Sequence, residues 1–112
     1  MSEPFSWIRP EPWGIHVIPA QAWIDPARAV DHALITHGHA DHARGGHIKI
    51  TATPETLSIM ELRYGTPKEA IPAEYGETLP LKGGVNATFL PAGHVLGSAQ
   101  ILLEHAGERI VI

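Results

Sequence analysis

Residues 34–47 read LITHGHADHARGGH, which places four histidines and one aspartate in a short run directly behind an apolar triplet. Neutral imidazole and carboxylate are the donors that Zn²⁺ favours, with Mn²⁺ and Fe²⁺ as further candidates. Within this run His37, His39, Asp41 and His42 form the pattern H-x-H-x-D-H. At a strand end, side chains two residues apart point to the same side. His37 and His39 can therefore converge on one ion. Asp41 and His42 follow at the start of the next turn and can face a second ion beside the first, with Asp41 the candidate catalytic carboxylate. Gly38 and Ala40 keep the intervening positions small, so the backbone can bend closely around the ions. A solvated polar loop is the competing reading, and the spacing behind an apolar strand favours metal.

A second stretch, PAGHVLGSAQ at 91–100, places His94 on a glycine-containing loop between two strand-like segments. A remote third ligand for the His37 and His39 ion would come from such a loop. His47 follows the motif closely but is expected to support the ligands from behind or to lie on the surface, and not to bind metal. His16, His32 and His105 are read as ordinary structural or surface histidines.

The elements that must position these residues follow from hydrophobic period and turn chemistry. Residues 1–14, with three prolines and two tryptophans, read as an irregular arm. Residues 15–25 hold two short apolar pieces around Pro19 and Ala20, and 32–36 form a brief apolar strand of the kind buried on both faces. IKITAT at 48–53 alternates and is rich in β-branched residues, as a strand requires. Thr53 has the chemistry of an N-cap, followed by Pro54 at the first helical position and Glu55 in the first turn. The helix that follows puts Leu57, Met60 and Tyr64 near one face, read as core packing, and Gly65 stops it. From 76 onward the pattern is β: 77–81, 85–91, 99–105 and 109–112, with Lys82-Gly83-Gly84 and Ala106-Gly107-Glu108 as turns. The expected class is α/β, with one mixed sheet and few helices.

Composition sets outer bounds. The chain has 112 residues, a common size for one domain, and 44% of them are hydrophobic, enough for a packed core. A formal charge of −4 supplies no overall basic footprint for nucleic acid, although metal ions could meet phosphate without one. There is no cysteine, so disulfides and thiolate metal sites are excluded. The opening residues carry no apolar signal segment and no run of about 18 apolar residues follows, so a cytoplasmic protein without a membrane span is expected.

THGHADH together with PAGHVLGSAQ resembles the metallo-β-lactamase superfamily, specifically its β-CASP branch of nucleases. IDP, DHALITHGHADHARGGH, ATPETL and the segment from YGETLPL to FLPAGHVLGSAQILLEH resemble the ligase-associated DNA-damage-response exonucleases, also labelled mRNA 3′-end processing exonucleases. The resemblance implies the first half of an αββα sandwich, with His37, His39 and His94 on one metal and Asp41 and His42 on the other. It places Asp25, in WIDP, behind the metal as a supporting acid, a role in which carboxylates orient ligand imidazoles. Two divalent ions, Zn²⁺ or Mn²⁺, would then hydrolyse a phosphodiester of DNA or RNA by lowering the pKa of water and offsetting charge on the phosphoryl oxygens. Nucleic acid is the implied substrate, and a DNA ligase or helicase pathway the implied setting.

The superfamily also uses a bridging aspartate, a later histidine and a β-CASP cap, all expected beyond Ile112. Residues 1–112 are accordingly expected to be a partial domain, inactive as a nuclease by itself and prone to self-association through uncovered apolar surface. A hydrolase of a small thioester or lactam, and a non-catalytic metal-binding or interaction module, are the alternatives.

Overall fold

The computed structural model describes residues 3–39, 42–93 and 95–112. Among these residues ten strands, one α-helix and a short 3-10 turn (Lys82–Gly84, between β7 and β8) follow, in the order β1 (Ile8–Glu11), β2 (Gly14–Val17), β3 (Ala22–Ile24), β4 (His32–Leu34), β5 (Lys49–Ala52), α1 (Pro54–Tyr64), β6 (Glu69–Pro72), β7 (Thr78–Pro80), β8 (Asn86–Pro91), β9 (Ala99–His105) and β10 (Glu108–Val111). They form two sheets where one was expected: six strands in the order β1-β2-β3-β4-β5-β6, and four in the order β10-β9-β8-β7. The first is mixed, antiparallel from β1 to β3 and parallel from β3 to β6. The second is antiparallel throughout.

Alternation along the strands divides the first sheet into two faces. Val17, Ala22, Ile24 and Leu34 join Ala87, Phe89, Ile101 and Leu103 of the second sheet in one buried cluster between the layers. The opposite face presents Ala33, Ile35, Ile50 and Ala52, which pack with Ala43 and Met60. Helix α1 supplies Met60 to this second core and runs as the crossover between parallel β5 and β6. Beside it, over β2 and β3, the outer face carries a ladder of rings. Trp13 stacks on Trp23 with centroids 3.9 Å apart, His16 stacks on Trp23 at 4.0 Å, and the Arg28 guanidinium lies 4.3 Å from the Trp13 ring.

The N-terminal arm, expected to be irregular, is partly a strand. Residues 8–11 form β1, pairing with β2 in spite of Pro10, because an edge strand tolerates a residue without an N–H. Trp7 is buried in the inter-sheet core, and its indole N–H donates to Glu108 Oε1 over 2.9 Å. Strand β6, also unforeseen, is an edge strand of mostly exposed residues, so it lacks the apolar alternation that marks a strand in sequence. In α1, Met60 is buried, but Tyr64 is 45% exposed and lies outside the core cluster. Its ring instead covers Gly45, where a Cβ would stand 2.8 Å from the ring carbons.

Candidate metal centre

The three parallel strands β3, β4 and β5 point their carboxyl ends the same way, which is where open α/β sheets place their ligands. Asp25 follows β3 and the His37–His42 loop follows β4. Backbone bonds continue beyond both strands. Asp25 N donates to Leu34 O at 3.0 Å and Ile35 N to Thr51 O at 3.0 Å, so the residues entering the site are held by the ladder itself. Asp25 adopts a left-handed φ of 46°, which bends the chain toward Pro26 and which aspartate tolerates better than most residues.

Asp25 is the centre of the hydrogen-bond array. Its Oδ1 accepts the Thr36 backbone N–H at 2.8 Å, and its Oδ2 accepts the Thr36 hydroxyl at 2.5 Å. Oδ2 also lies 3.0 Å from Nδ1 of His42. Nδ1 of His37 is 2.9 Å from Oγ1 of Thr36. The rings of His37 and His42 face each other with centroids 4.0 Å apart, and the ring of His39 meets His37 edge-on at 5.0 Å.

Asp25, His37 and His42 each bring one donor atom within 4.8 Å of the others. Two imidazoles and a carboxylate at that spacing suit a borderline divalent cation. Of the residues singled out from sequence, His37 and His42 are thus brought together. His39 adjoins them but is exposed and outside the group of three. Asp41 and His94 lie outside the described residues. The Asp25 carboxylate lies within this group of three while holding His42 and Thr36. His47 stands apart: it is buried, its Nδ1 accepts the Val30 N–H at 3.1 Å, and its Nε2 has no hydrogen-bond partner among the described residues.

Thr36 was not singled out from sequence. Its signal, a hydroxyl residue immediately before H-x-H, becomes meaningful only once β3 brings Asp25 alongside β4. The same holds for Arg63, exposed on α1, which donates to the Gly38 carbonyl oxygen at 2.9 Å.

Gly97 and Ala99 are anchored to α1 and to the first sheet. The Gly97 carbonyl accepts from Oγ1 of Thr53 at 2.7 Å and from Oγ1 of Thr56 at 3.2 Å. Ala99 N donates to the Thr36 carbonyl at 2.7 Å, joining the second sheet to the ligand loop of the first. A cleft lined by Ile24, Asp25, Thr36, His37, His42 and Ser98 opens between the two.

Burial lowers the pKa of His47, with the Arg44 carbonyl opposing the shift. His32, whose Nε2 lies 2.7 Å from the Thr51 hydroxyl, is lowered to about 4, chiefly by desolvation and then by Lys49 and Lys82.

No family model matches the chain. It is 32% identical over 83 residues to a probable DNA ligase of Opitutus terrae, covering 74% of this chain and 8% of that protein. It is 35% identical over 101 residues to an uncharacterized protein of Synechocystis sp., covering 77% of this chain and 18% of that protein. The chain therefore spans less than a fifth of the curated relatives it matches. Among solved structures it resembles a metallo-β-lactamase HARLDQ-motif mutant from Cronobacter sakazakii, with TM-score 0.63, 17% identity, and 93% of this chain and 53% of that one covered. A metallo-hydrolase from Ignicoccus hospitalis matches with TM-score 0.60 and 19% identity over 87% of this chain and 53% of that one. Zn²⁺-bound PqqB from Methylobacterium extorquens matches with TM-score 0.60 and 17% identity over 95% and 50%. The chain has the metallo-β-lactamase fold over about half the length of these structures.

Proposed function

We propose that this chain forms part of a metal-dependent phosphodiesterase that acts on DNA or RNA. The observation that carries the proposal is the Asp25, His37 and His42 cluster at the carboxyl ends of parallel strands. The hydrolase class is favoured by the fold, and the nuclease branch by the motifs H-x-H-x-D-H and GHVLGSAQ. The similarity to a protein named as a probable DNA ligase supports a setting in DNA end processing.

His37, His39, His42, Asp41 and His94 would hold divalent ions, Zn²⁺ or Mn²⁺, and Asp25 would orient the imidazoles. Such ions supply Lewis-acid polarisation of a phosphoryl oxygen and a more acidic water. The chain's own part is to fix the donor atoms before substrate arrives. The Thr36 N–H and hydroxyl hold Asp25, Asp25 holds His42, and Arg63 holds the backbone between His37 and His39. The cleft beside His37 and His42, also lined by Ile15 and Gln100, would receive the scissile phosphate. The solved structures extend to about twice this length, so the further donors and the nucleic-acid-gripping surface are proposed to lie in the other half of the fold.

The test has two parts. Zn²⁺ titration of the 112-residue chain should show saturable binding that His37→Ala and His42→Ala abolish. The same protein carrying a complete metallo-β-lactamase fold should release mononucleotides from labelled DNA or RNA when supplied with Zn²⁺ or Mn²⁺. Stoichiometric metal binding without phosphodiester hydrolysis, but with thioester or lactam hydrolysis, would overturn the nuclease reading.

A further inference from the structure

We propose that Thr36 is a positioning residue, whose hydroxyl relays the Asp25 carboxylate to His37 and thereby sets which nitrogen of that ring carries the lone pair. The inference rests on the metal-site reading above.

It follows from counting protons. An ionised carboxylate only accepts, a hydroxyl has one proton to give, and a neutral imidazole has one N–H and one bare nitrogen. Oγ1 of Thr36 and Oδ2 of Asp25 are 2.5 Å apart, a separation that requires a proton between two oxygens and is typical of a charge-assisted bond. The Thr36 hydroxyl is thereby committed to Asp25. Toward Nδ1 of His37, 2.9 Å away, its oxygen can only accept. Nδ1 of His37 must then carry the ring proton, which leaves the lone pair on Nε2. His42 reaches the same state directly, because its Nδ1 lies 3.0 Å from the same Oδ2.

One carboxylate therefore sets two rings, touching His42 itself and reaching His37 through Thr36. The backbone reinforces the relay. The Thr36 N–H bonds Oδ1 while the hydroxyl bonds Oδ2, so one residue holds both oxygens of the carboxylate and keeps Oδ2 facing the hydroxyl. Thr36 is only 9% exposed, which keeps water from competing for its oxygen. A valine would preserve the β-branched shape but neither donate nor accept. A serine would keep the oxygen and lose one methyl group.

Ring ¹H–¹⁵N correlation spectra of the metal-free chain at about pH 8, where neutral imidazole dominates, read this directly. His37 in the wild type should show a protonated Nδ1 and a bare Nε2. Thr36→Val should shift His37 toward a mixture of tautomers and leave His42 unchanged, while Thr36→Ser should restore the wild-type pattern. Zn²⁺ affinity should fall about 10–100-fold in Thr36→Val and stay within about threefold in Thr36→Ser, as for loss of an outer partner of a metal-ligating histidine. A bare Nδ1 on His37 in the wild type overturns the proposal, even if Thr36→Val does not fold. So does a folded Thr36→Val with unchanged tautomer and affinity. A wild-type chain with the expected tautomer but no Zn²⁺ binding sustains the relay and overturns the metal reading instead.

Discussion

Arg63 donates from Nη1 to the Gly38 carbonyl oxygen across 2.9 Å, so the last turn of α1 holds the backbone between His37 and His39. Ile59, one turn earlier on the same helix, closes against Gly38 itself, where a Cβ would stand 3.0 Å from Cδ1 and 3.2 Å from Cγ2. The outer helix is thus a brace for the ligand loop. Arg63→Ala should weaken Zn²⁺ binding about threefold to tenfold and destabilise the chain by about 1–2 kcal/mol, the cost of one charge-assisted bond at a partly exposed site. Gly38→Ala should weaken binding further, because the added methyl pushes the loop off Ile59. The double variant Gly38→Ala/Ile59→Val should recover part of the loss, since valine lacks Cδ1. Isothermal titration of the three variants checks the order.

Gly97 stands at the other side of the site with φ +80°, and a Cβ there would meet Glu55 Cβ at 2.7 Å and Thr53 Oγ1 at 2.9 Å. Gly97→Ala therefore combines a left-handed backbone with a collision against the start of α1. The expected cost is about 2–4 kcal/mol in chemical denaturation. Thr53→Ala removes both the N-cap acceptor for Thr56 N and the donor to Gly97 O, and should cost about 1–2 kcal/mol.

Metal should stabilise the fold measurably. At a Zn²⁺ concentration a hundredfold above Kd the folded state gains about 2.7 kcal/mol by mass action. His42→Ala should remove that gain, and Asp25→Asn should diminish it, because an amide is a weaker acceptor for the His42 N–H and the Thr36 hydroxyl. Denaturant midpoints with and without Zn²⁺ give the comparison, and EDTA should return the wild type to its metal-free midpoint.

Acid should destabilise the metal-free chain through His32. Its folded-state pKa is about 4 against an ordinary value of 6.5, so the unfolded chain binds the proton more readily. Stability is then fully present above about pH 6.5 and is lost as pH falls toward about 4. His47, also lowered by burial, acts in the same direction. Wild-type stability should drop by about 2 kcal/mol across that window from His32, allowing for solvent screening at a half-buried ring. His32→Gln, which keeps a donor near Thr51, should flatten the profile.

Much of this fold is legible in the chain as a string. The β-branched run at 48–53, the Thr53-Pro54-Glu55 start signal and the glycine turns near 83 and 107 mark β5, α1 and the antiparallel β7–β10 region, because each is a local preference of backbone and cap. Edge strands escape such reading. β1 contains a proline and β6 is mostly exposed, so both owe their conformation to the neighbour they pair with.

The donor chemistry was likewise set by sequence, since spacing alone makes His37 and His42 candidates and identifies the small residues between them. Which atoms meet was decided only by tertiary structure. Asp25 lies 12 residues before His37, yet parallel pairing of β3 and β4 puts its carboxylate against Thr36 and His42. Arg63, 25 residues from Gly38 along the chain, reaches it because the β5–α1–β6 crossover lays the helix on that face. Local sequence can supply ligands in the right order. The direction of each imidazole depends on partners distant in sequence, and only the sheet brings those within hydrogen-bond reach.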